Sequence, residues 1–184
     1  MIANSDEALV REAQTGGPDA FRMLFHRHKD AVYSYCLRIL GNAFDAEDAA
    51  QEAFVRSYEG LSTLDHPASF RYWLYTIVRN EVFGRLRRRK QYRQVTLNEA
   101  DDEVWEVETP LELAIRGERA ALLQHLLDRL RPEYREAVVL REQEGFSYAE
   151  IAAVTGASEA AIKARLFKAR RALMRAAETK RDNS

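Results

Sequence analysis

The segment FSYAEIAAVTGASEAAIKARLFKARRAL, residues 146–173, decides the fold class of this chain. It opens with the pattern of a capping box, because Ser147 can cap a helix and Glu150 stands three residues later. Gly156 is typical of the end of that first helix, and Ser158 is typical of the cap of the next one. A short capped helix, a turn that contains glycine and a longer helix form a helix-turn-helix. The segment therefore predicts an all-α unit that binds DNA.

The second helix of this motif carries an aromatic residue among its cations. At about 100° per residue, four apolar residues fall on one stripe that a helix can bury: Ile162, Leu166, Ala169 and Leu173. Phe167 lies away from this stripe, so we predict that its ring faces outward. A recognition helix enters the major groove, where such a ring can contact a thymine methyl or a sugar. The alternative, in which Phe167 packs inside its own unit and the cations only solvate the surface, stays open at this point.

Composition and charge exclude several classes of protein. The chain has 184 residues and a net charge of -1, but basic residues cluster at 85–93 and 163–175 while acidic residues cluster at 99–112. Cys36 is the only cysteine, which excludes an intramolecular disulfide and a cysteine-rich zinc site and fits a reducing compartment. No signal-peptide pattern and no apolar run of about 18 residues occurs. We therefore predict a cytoplasmic protein that does not insert into a membrane.

Apolar residues recur at helical spacing through the first half of the chain, with breaks at residues 15–20, 40–48 and 62–69. This predicts four helices: residues 6–14, residues 19–40, a third that begins at Asp45 with that residue as its N-cap, and residues 69–90. From residue 91 to residue 112 the period is lost and Pro110 occurs, which predicts an irregular linker. Helices resume near Leu113, and Pro132 suits the first turn of a later one. No strand and no internal repeat is predicted.

Three segments give the chain a resemblance to a known family. DAEDAAQEAFVRSY (45–58) resembles a segment that binds core RNA polymerase, SFRYWLYTIVRN (69–80) with RLRRR (85–89) resembles a minus-ten promoter segment, and residues 146–173 resemble a minus-35 segment. In this order they resemble the small extracytoplasmic-function group of the sigma-70 family. The resemblance covers nearly the whole chain. It implies an initiation factor that is not an enzyme and that has no catalytic residue, metal or cofactor.

The resemblance also implies the domain organisation. Residues 1–92 correspond to sigma region 2, a helical bundle that binds core polymerase and the minus-ten element. Residues 93–116 correspond to a flexible acidic linker, and residues 117–184 correspond to sigma region 4 with its helix-turn-helix. The implied partners are core RNA polymerase and promoter DNA, and many family members are also held inactive by an anti-sigma protein.

One face of the third helix is assigned to the polymerase by the resemblance. Asp48, Gln51, Glu52 and Val55 lie beside the apolar stripe and form a polar patch with an aliphatic centre, which suits docking on a pair of helices. The implied contact is the clamp coiled coil of the beta-prime subunit, with the beta flap as a second polymerase contact. Without the resemblance, an ordinary solvated acidic face is the simpler interpretation.

The fourth helix and the loop before it are assigned to the minus-ten element. A protein that opens DNA without ATP must offset lost base stacking with aromatic rings, cations and amides that contact single strands. The loop at residues 64–69 resembles the family's pocket for a flipped-out base. The implied minus-ten contacts are Leu64, Asp65, His66, Phe70, Trp73, Arg79, Asn80, Arg87 and Arg88.

Two residues of the fourth helix depart from the family pattern. The family usually has a basic residue at the position of Thr76 and an acid or an amide at the position of Gly84, so the preferred minus-ten bases stay undefined. Phe70 and Trp73 have an alternative role in the core, and we expect Trp73 to serve both purposes. For the minus-35 element the implied contacts are Ser158, Ala160, Lys163, Ala164, Phe167, Lys168 and Arg171.

Two other functions compete with this interpretation. A metal-dependent nuclease would use Asp45, Asp48 and Glu52 with His26 or His28, but the sequence has no paired-histidine motif, no glycine-rich phosphate loop and no nucleophile beside a base. The closer alternative is a helix-turn-helix transcriptional regulator with an N-terminal sensing domain. Such proteins usually bind paired half-sites as dimers, and this chain shows no heptad seam.

Overall fold

A computed structural model describes residues 5–96 and 118–182, with side chains described for residues 5–91 other than Pro18 and for residues 122–176. Within these ranges the fold is all-α, as predicted, and contains no strand. The helices are α1 Asp6–Gln14, α2 Pro18–Leu40, α3 Ala43–Gly60, α4 Phe70–Thr96, α5 Glu118–Asp128, α6 Pro132–Val138, α7 Tyr148–Thr155 and α8 Glu159–Asp182. Two short 3₁₀ turns, Leu61–Thr63 and Pro67–Ser69, connect α3 to α4, and a π-helical turn, Val139–Gln143, follows α6.

The chain divides into two compact units. The first unit contains Met1–Leu37 and Ala43–Tyr92, and the second contains Arg38–Asn42 and Arg93–Ser184. In the described parts of both units, no helix is long and apolar enough to span a bilayer.

The first unit has an aromatic core between its helices. Tyr35 of α2 and Tyr75 of α4 are fully buried and meet edge to face, with ring centroids 5.5 Å apart. Phe25 meets Phe54 of α3 in the same way at 4.8 Å. Edge-to-face pairs add to the stability that burial of the rings provides. Cys36 is buried as well, and burial raises the pKa of its thiol to about 12.

The helix bounds confirm most of the predicted elements and correct two of them. Helix α1 has the predicted bounds, and α2 begins one residue earlier than predicted. Asp45 is not the N-cap of α3, because the helix begins at Ala43 and places Asp45 inside the first turn. A carboxylate is favourable there too, since it faces the positive end of the helix dipole.

The second correction concerns the end of α4. This helix continues to Thr96, so the predicted linker is helical over its first residues, 91–96. Lysine, glutamine and arginine at residues 90–94 favour a helix, and no proline interrupts the chain before Pro110. The rest of the acidic segment and the predicted restart near Leu113 lie outside the described residues.

The second unit confirms the predicted punctuation of its helices. Pro132 stands in the first turn of α6. Ser147 and Glu150 form both hydrogen bonds of the capping box at the start of α7. Gly156 ends α7 in the left-handed conformation, with φ +68°, which glycine adopts without strain. The hydroxyl oxygen of Ser158 accepts a hydrogen bond from the backbone N–H of Ala161 at 3.2 Å and so caps α8.

Candidate nucleic-acid interface

Helix α8 buries one face and exposes the other along the predicted lines. Ile162, Leu166 and Ala169 are buried, whereas the side chain of Phe167 is 61% exposed. The prediction that this ring faces outward is confirmed, and the alternative that it packs in the core is wrong. The ring lies among the exposed cations Lys163, Lys168 and Arg171, so this side of α8 offers an apolar group together with positive charge, the combination that reads DNA in the major groove. The position of Phe167 therefore indicates a binding surface.

All the residues predicted to contact the minus-35 element are exposed, and we name them the helix surface: Ser158, Ala160, Lys163, Ala164, Phe167, Lys168 and Arg171. The Arg171 guanidinium lies 5.6 Å from the centre of the Phe167 ring. A cation at this distance over an aromatic face is attracted to it. The ring and the charge therefore form one contact patch on α8.

Sequence reasoning missed Tyr148, which supports the helix surface from α7. The centre of its ring lies 5.9 Å from the Lys163 amine and 5.2 Å from the Arg141 guanidinium. Tyr148 follows the N-cap Ser147, so it stands at the N-terminus of the first motif helix, which is the helix that crosses the DNA backbone in this class. A tyrosine at that position was the available signal.

The loop between α3 and α4 has an inward side and an outward side that alternate with a period of three. Four residues three apart are buried: Leu61, Leu64, Pro67 and Phe70. Three residues per turn is the period of a 3₁₀ helix, so side chains three apart lie on one side. Of the six residues between them, Ser69 is half-buried and the other five are exposed, and we name these five the loop surface: Ser62, Thr63, Asp65, His66 and Ala68.

This alternation corrects two of the predicted minus-ten contacts. Leu64 and Phe70 are buried, the latter with only 1% of its surface exposed, so their side chains do not face solvent where DNA would bind. Phe70 packs against the ring of His28, with centroids 5.6 Å apart, and against Trp73 at 6.1 Å. Asp65 and His66 do face outward. The minus-ten roles of these two residues stay predictions.

Trp73 and the cations of α4 are accessible to a ligand. Trp73 is half-buried, Asn80, Arg87 and Arg88 are exposed, and the Arg79 guanidinium lies 4.6 Å from the centre of the Phe83 ring.

The two residues of α4 that depart from the family pattern, Thr76 and Gly84, make local contacts with their own helix. The Thr76 hydroxyl donates to the Tyr72 carbonyl within α4 at 2.9 Å, and a Cβ at Gly84 would meet only the tip of Arg87, 3.9 Å away.

The face of α3 predicted to bind polymerase is exposed and ordered by ion pairs. Asp48, Gln51 and Val55 are exposed, and Glu52 is half-buried. Arg85 of α4 contacts the Asp48 carboxylate at 2.7 Å. Arg56 contacts the Glu52 carboxylate at 3.1 Å and that of Glu81 at 3.0 Å. These arginines hold the carboxylates in defined positions.

Sequence reasoning also missed Phe44 on α3. Its side chain is 81% exposed, and it stands one turn before Asp48 and eleven residues before Val55, which is three turns of helix. Phe44, Asp48 and Val55 therefore follow one side of α3. The signal in the sequence was a large apolar residue beside the N-terminus of an otherwise polar helix face.

The rival nuclease site does not assemble in the described residues. Among them, no group of three or more histidine, cysteine, aspartate or glutamate side chains could hold a metal ion. The His28 ring contacts the Asp6 carboxylate at 2.8 Å, and Asp48 pairs with Arg85. These residues therefore have structural partners within the first unit.

Comparison with known proteins gives two family matches, one in each unit. The model described as Sigma-70 region 2 matches residues 24–92, and the model described as Sigma-70, region 4 matches residues 120–173. The RNA polymerase sigma-H factor of Pseudomonas aeruginosa is 31% identical over 96% of this chain and 95% of its own. The ECF RNA polymerase sigma factor SigW of Bacillus subtilis is 30% identical over 89% of this chain and 92% of its own.

Among solved structures, the fold is similar to that of CnrH in its complex with the cytosolic domain of CnrY. The TM-score is 0.71 and the identity is 29%, with 95% of this chain and 97% of the other covered. The sigma factor RpoE of Bartonella quintana, in complex with the anti-sigma factor NepR, shares the fold with a TM-score of 0.66. That similarity covers 84% of this chain and 94% of the other at 22% identity.

Proposed function

The chain belongs to the extracytoplasmic-function group of the sigma-70 family and is a promoter-directing sigma factor, and from this premise we propose which surface performs each step. Core RNA polymerase and promoter DNA are its partners. Residues 1–92 act as region 2, residues 117–184 act as region 4, and residues 93–116 link them. The chain works as an initiation factor in the cytoplasm and catalyses no reaction of its own.

The observation that carries the minus-35 assignment is the exposed Phe167 patch on α8. Its buried face holds the helix against its own unit, while Lys163, Phe167 and Arg171 point away from that unit. In a helix-turn-helix this side of the second helix enters the major groove, where cations contact phosphates or guanine edges and apolar groups contact thymine methyls. The helix surface therefore binds the minus-35 element.

The loop surface and the exposed side of α4 bind the minus-ten element. Asp65 and His66 project from a loop whose inward residues fix its backbone, which is what a pocket for a single flipped base requires. Trp73 offers part of its ring for stacking, and Asn80, Arg87 and Arg88 supply an amide and cations for the displaced strand. Leu64 and Phe70 support this surface from inside.

The exposed face of α3 binds the polymerase clamp. Interfaces of this kind combine an apolar centre with a polar rim. Val55 and Phe44 supply exposed apolar surface, and Asp48, Gln51 and Glu52 supply polar groups beside them. The beta flap is the second polymerase contact in this proposal.

An anti-sigma protein is a further proposed partner. CnrH, which is similar over nearly its whole length, was solved in complex with the cytosolic domain of CnrY. A protein that covers the α3 face or the helix surface of this chain would prevent initiation. The alternative function, a regulator with an N-terminal sensing domain, is not favoured, because residues 24–92 match region 2 of sigma factors.

Reconstitution with polymerase tests the proposal. Core RNA polymerase without a sigma subunit is mixed with this chain and a library of promoter fragments, and transcript 5′ ends are sequenced. We expect stable binding to the core enzyme and start sites preceded by shared minus-35 and minus-ten sequences. Initiation that proceeds equally well without the chain would support the regulator instead.

The variants Val55→Arg and Phe44→Arg should lose core binding, whereas Glu59→Arg, exposed near the end of α3, should retain it.

A further inference from the structure

Helix α1 packs against the loop that carries the loop surface. It contacts both 3₁₀ turns, Leu61–Thr63 and Pro67–Ser69. Gln14, the last residue of α1, places its side-chain nitrogen 2.9 Å from the Leu61 carbonyl oxygen and 2.9 Å from the Leu64 carbonyl oxygen. One side chain therefore bridges two points of the loop backbone, and the second of them, Leu64, immediately precedes Asp65 and His66.

The chemistry of this contact fixes the orientation of the amide. Both partners are carbonyl oxygens, which only accept hydrogen bonds, so the nitrogen of Gln14 and not its oxygen must face them. Its two N–H groups match the two acceptors. The Leu61 carbonyl also accepts from the Leu64 backbone N–H at 3.2 Å, so the turn and the glutamine stabilise the same short segment.

Helix α1 is itself held at its other end. The Asp6 carboxylate accepts hydrogen bonds from the Arg27 guanidinium and from Nε2 of His28, the latter at 2.8 Å. These bonds fix the first turn of α1 on α2. The His28 ring also packs against Phe70, the inward residue at the end of the loop. The loop is thus attached to α1 at both of its ends, directly through Gln14 and indirectly through His28.

We infer that Gln14 is a positioning residue for base discrimination in the minus-ten element. It lies outside the loop surface, but it sets the backbone from which Asp65 and His66 project. A pocket that distinguishes bases needs its groups held within a fraction of an ångström, so loss of the two hydrogen bonds should loosen discrimination more than it lowers stability. This inference rests on the proposed minus-ten function of the loop.

The test compares variants of the full chain in the reconstituted holoenzyme. Initiation rates are measured on templates that carry each base in turn at every minus-ten position, and the ratio of best to worst base gives the discrimination at that position. Gln14→Met and Gln14→Leu are compatible with a helix and remove the side-chain N–H groups that donate to the loop. Gln14→Lys replaces the amide with an ammonium group, which still donates hydrogen bonds. Thr15→Ala is the matched control, because Thr15 is exposed and its hydroxyl bonds within its own turn.

We expect both donor-free variants to lower the ratio roughly fivefold at the positions where His66→Ala also changes it, which is the lower end of the range for loss of two hydrogen bonds. At the other minus-ten positions, the ratios of the donor-free variants should stay within about twofold of wild type, and so should their affinity for core polymerase. Gln14→Lys and Thr15→Ala should stay within the same limit at every position. All assays are run well below the melting temperature of the least stable variant, so that every variant stays folded.

Two other outcomes overturn the inference, and they differ in what else they overturn. If the donor-free variants slow initiation equally on every template and leave the ratios unchanged, Gln14 has only a structural role, and the proposed minus-ten function stands. If Asp65→Ala and His66→Ala leave every ratio unchanged, the loop does not contact a base, and the proposed function fails together with the inference.

Discussion

The helix surface and the loop surface present the residues that we propose to contact DNA in two different ways. On α8 the exposed residues follow from one helix, because the positions of Lys163, Phe167 and Arg171 are set by the helical repeat alone. The loop surface depends on other helices, since both 3₁₀ turns contact α1, the first turn also contacts α3, and Gln14 holds the loop backbone. An outward substitution should therefore affect binding alone, whereas inward and supporting substitutions near the loop should also affect stability.

The largest expected effect comes from the pair of aromatic residues at the start of α4. Phe70→Ala removes a fully buried ring and should lower the free energy of unfolding by about 3–5 kcal/mol. Trp73→Ala removes a half-buried ring, so it should cost markedly less stability. Urea unfolding of the full chain, followed by far-UV circular dichroism, measures both changes.

The same two residues distinguish a ring that supports the fold from a ring that contacts DNA. Trp73→Ala should slow initiation on duplex promoters and recover on templates with a pre-opened minus-ten region, because stacking on the ring no longer has to stabilise the open strands. Phe70→Leu, which keeps most of the buried volume, should change initiation much less. If Trp73→Ala costs as much stability as Phe70→Ala, the tryptophan belongs to the core and the difference between the two rings is lost.

Phe167→Ala gives the next largest effect, on affinity and not on folding. Loss of the exposed ring should weaken binding to the minus-35 element about tenfold, which corresponds to about 1.4 kcal/mol, while the melting temperature stays nearly unchanged. Met174→Ala is the matched control, because Met174 lies seven residues later on α8 with 62% of its side chain exposed. Early residues of a recognition helix contact bases, so Met174→Ala should change affinity less than twofold.

Fluorescence anisotropy with a labelled promoter fragment measures both affinities at one salt concentration. A fall in melting temperature of Phe167→Ala by several degrees would mean that the ring supports the fold. An equal loss of affinity in Met174→Ala would mean that α8 binds DNA through a general apolar strip and not through the predicted contact.

The contrast between the helix surface and the loop surface also explains which features the sequence could predict. The helix-turn-helix, its caps at Ser147 and Ser158, its turn at Gly156 and the outward side of α8 all depend on short-range patterns, and they were confirmed. Resemblance to the family identified the function. The contacts that fix these surfaces were missed, because Tyr148 meets Lys163 and Gln14 meets Leu64 only after distant segments pack together.

The wrong predictions for Leu64 and Phe70 have a different origin, in the local conformation of the loop. Leu64 and Phe70 were predicted to contact DNA because they stand in the matching segment, but the period of three in the loop turns both inward. That period covers only three turns of chain, and proline and polar residues at 62–69 obscure it. Phe44 was missed because its neighbours one turn later are the acids Glu47 and Asp48, and the next apolar residue on the same side, Val55, stands three turns away.

The smallest effect expected is on the anchor of α1, and it depends on pH. A hydrogen bond from His28, and to a smaller extent one from Arg27, lowers the pKa of Asp6 below the ordinary value of an aspartate, against the opposing effect of burial. A carboxylate whose pKa is lowered by folding contributes stability that is fully present above the unfolded pKa and is lost as pH falls through the folded one. Asp6→Asn should thus destabilise the chain at pH 7, by less than about 1 kcal/mol after solvent screening, and the difference from wild type should shrink below about pH 4.

Urea unfolding of wild type and Asp6→Asn at pH 7, 5 and 3 measures this difference, with Glu7→Gln as the matched control. Glu7 stands in the same first turn of α1, but its partner is Arg11 of the same helix, at 2.8 Å, so its loss should not release α1 from α2. Below the pKa of Asp6, wild type and Asp6→Asn should converge because both side chains are then neutral. A difference that does not shrink between pH 7 and pH 3 would place the stability in the shape of the side chain and not in its charge, and the anchor of α1 would then resemble the neutral hydrogen bonds of Gln14 at the other end.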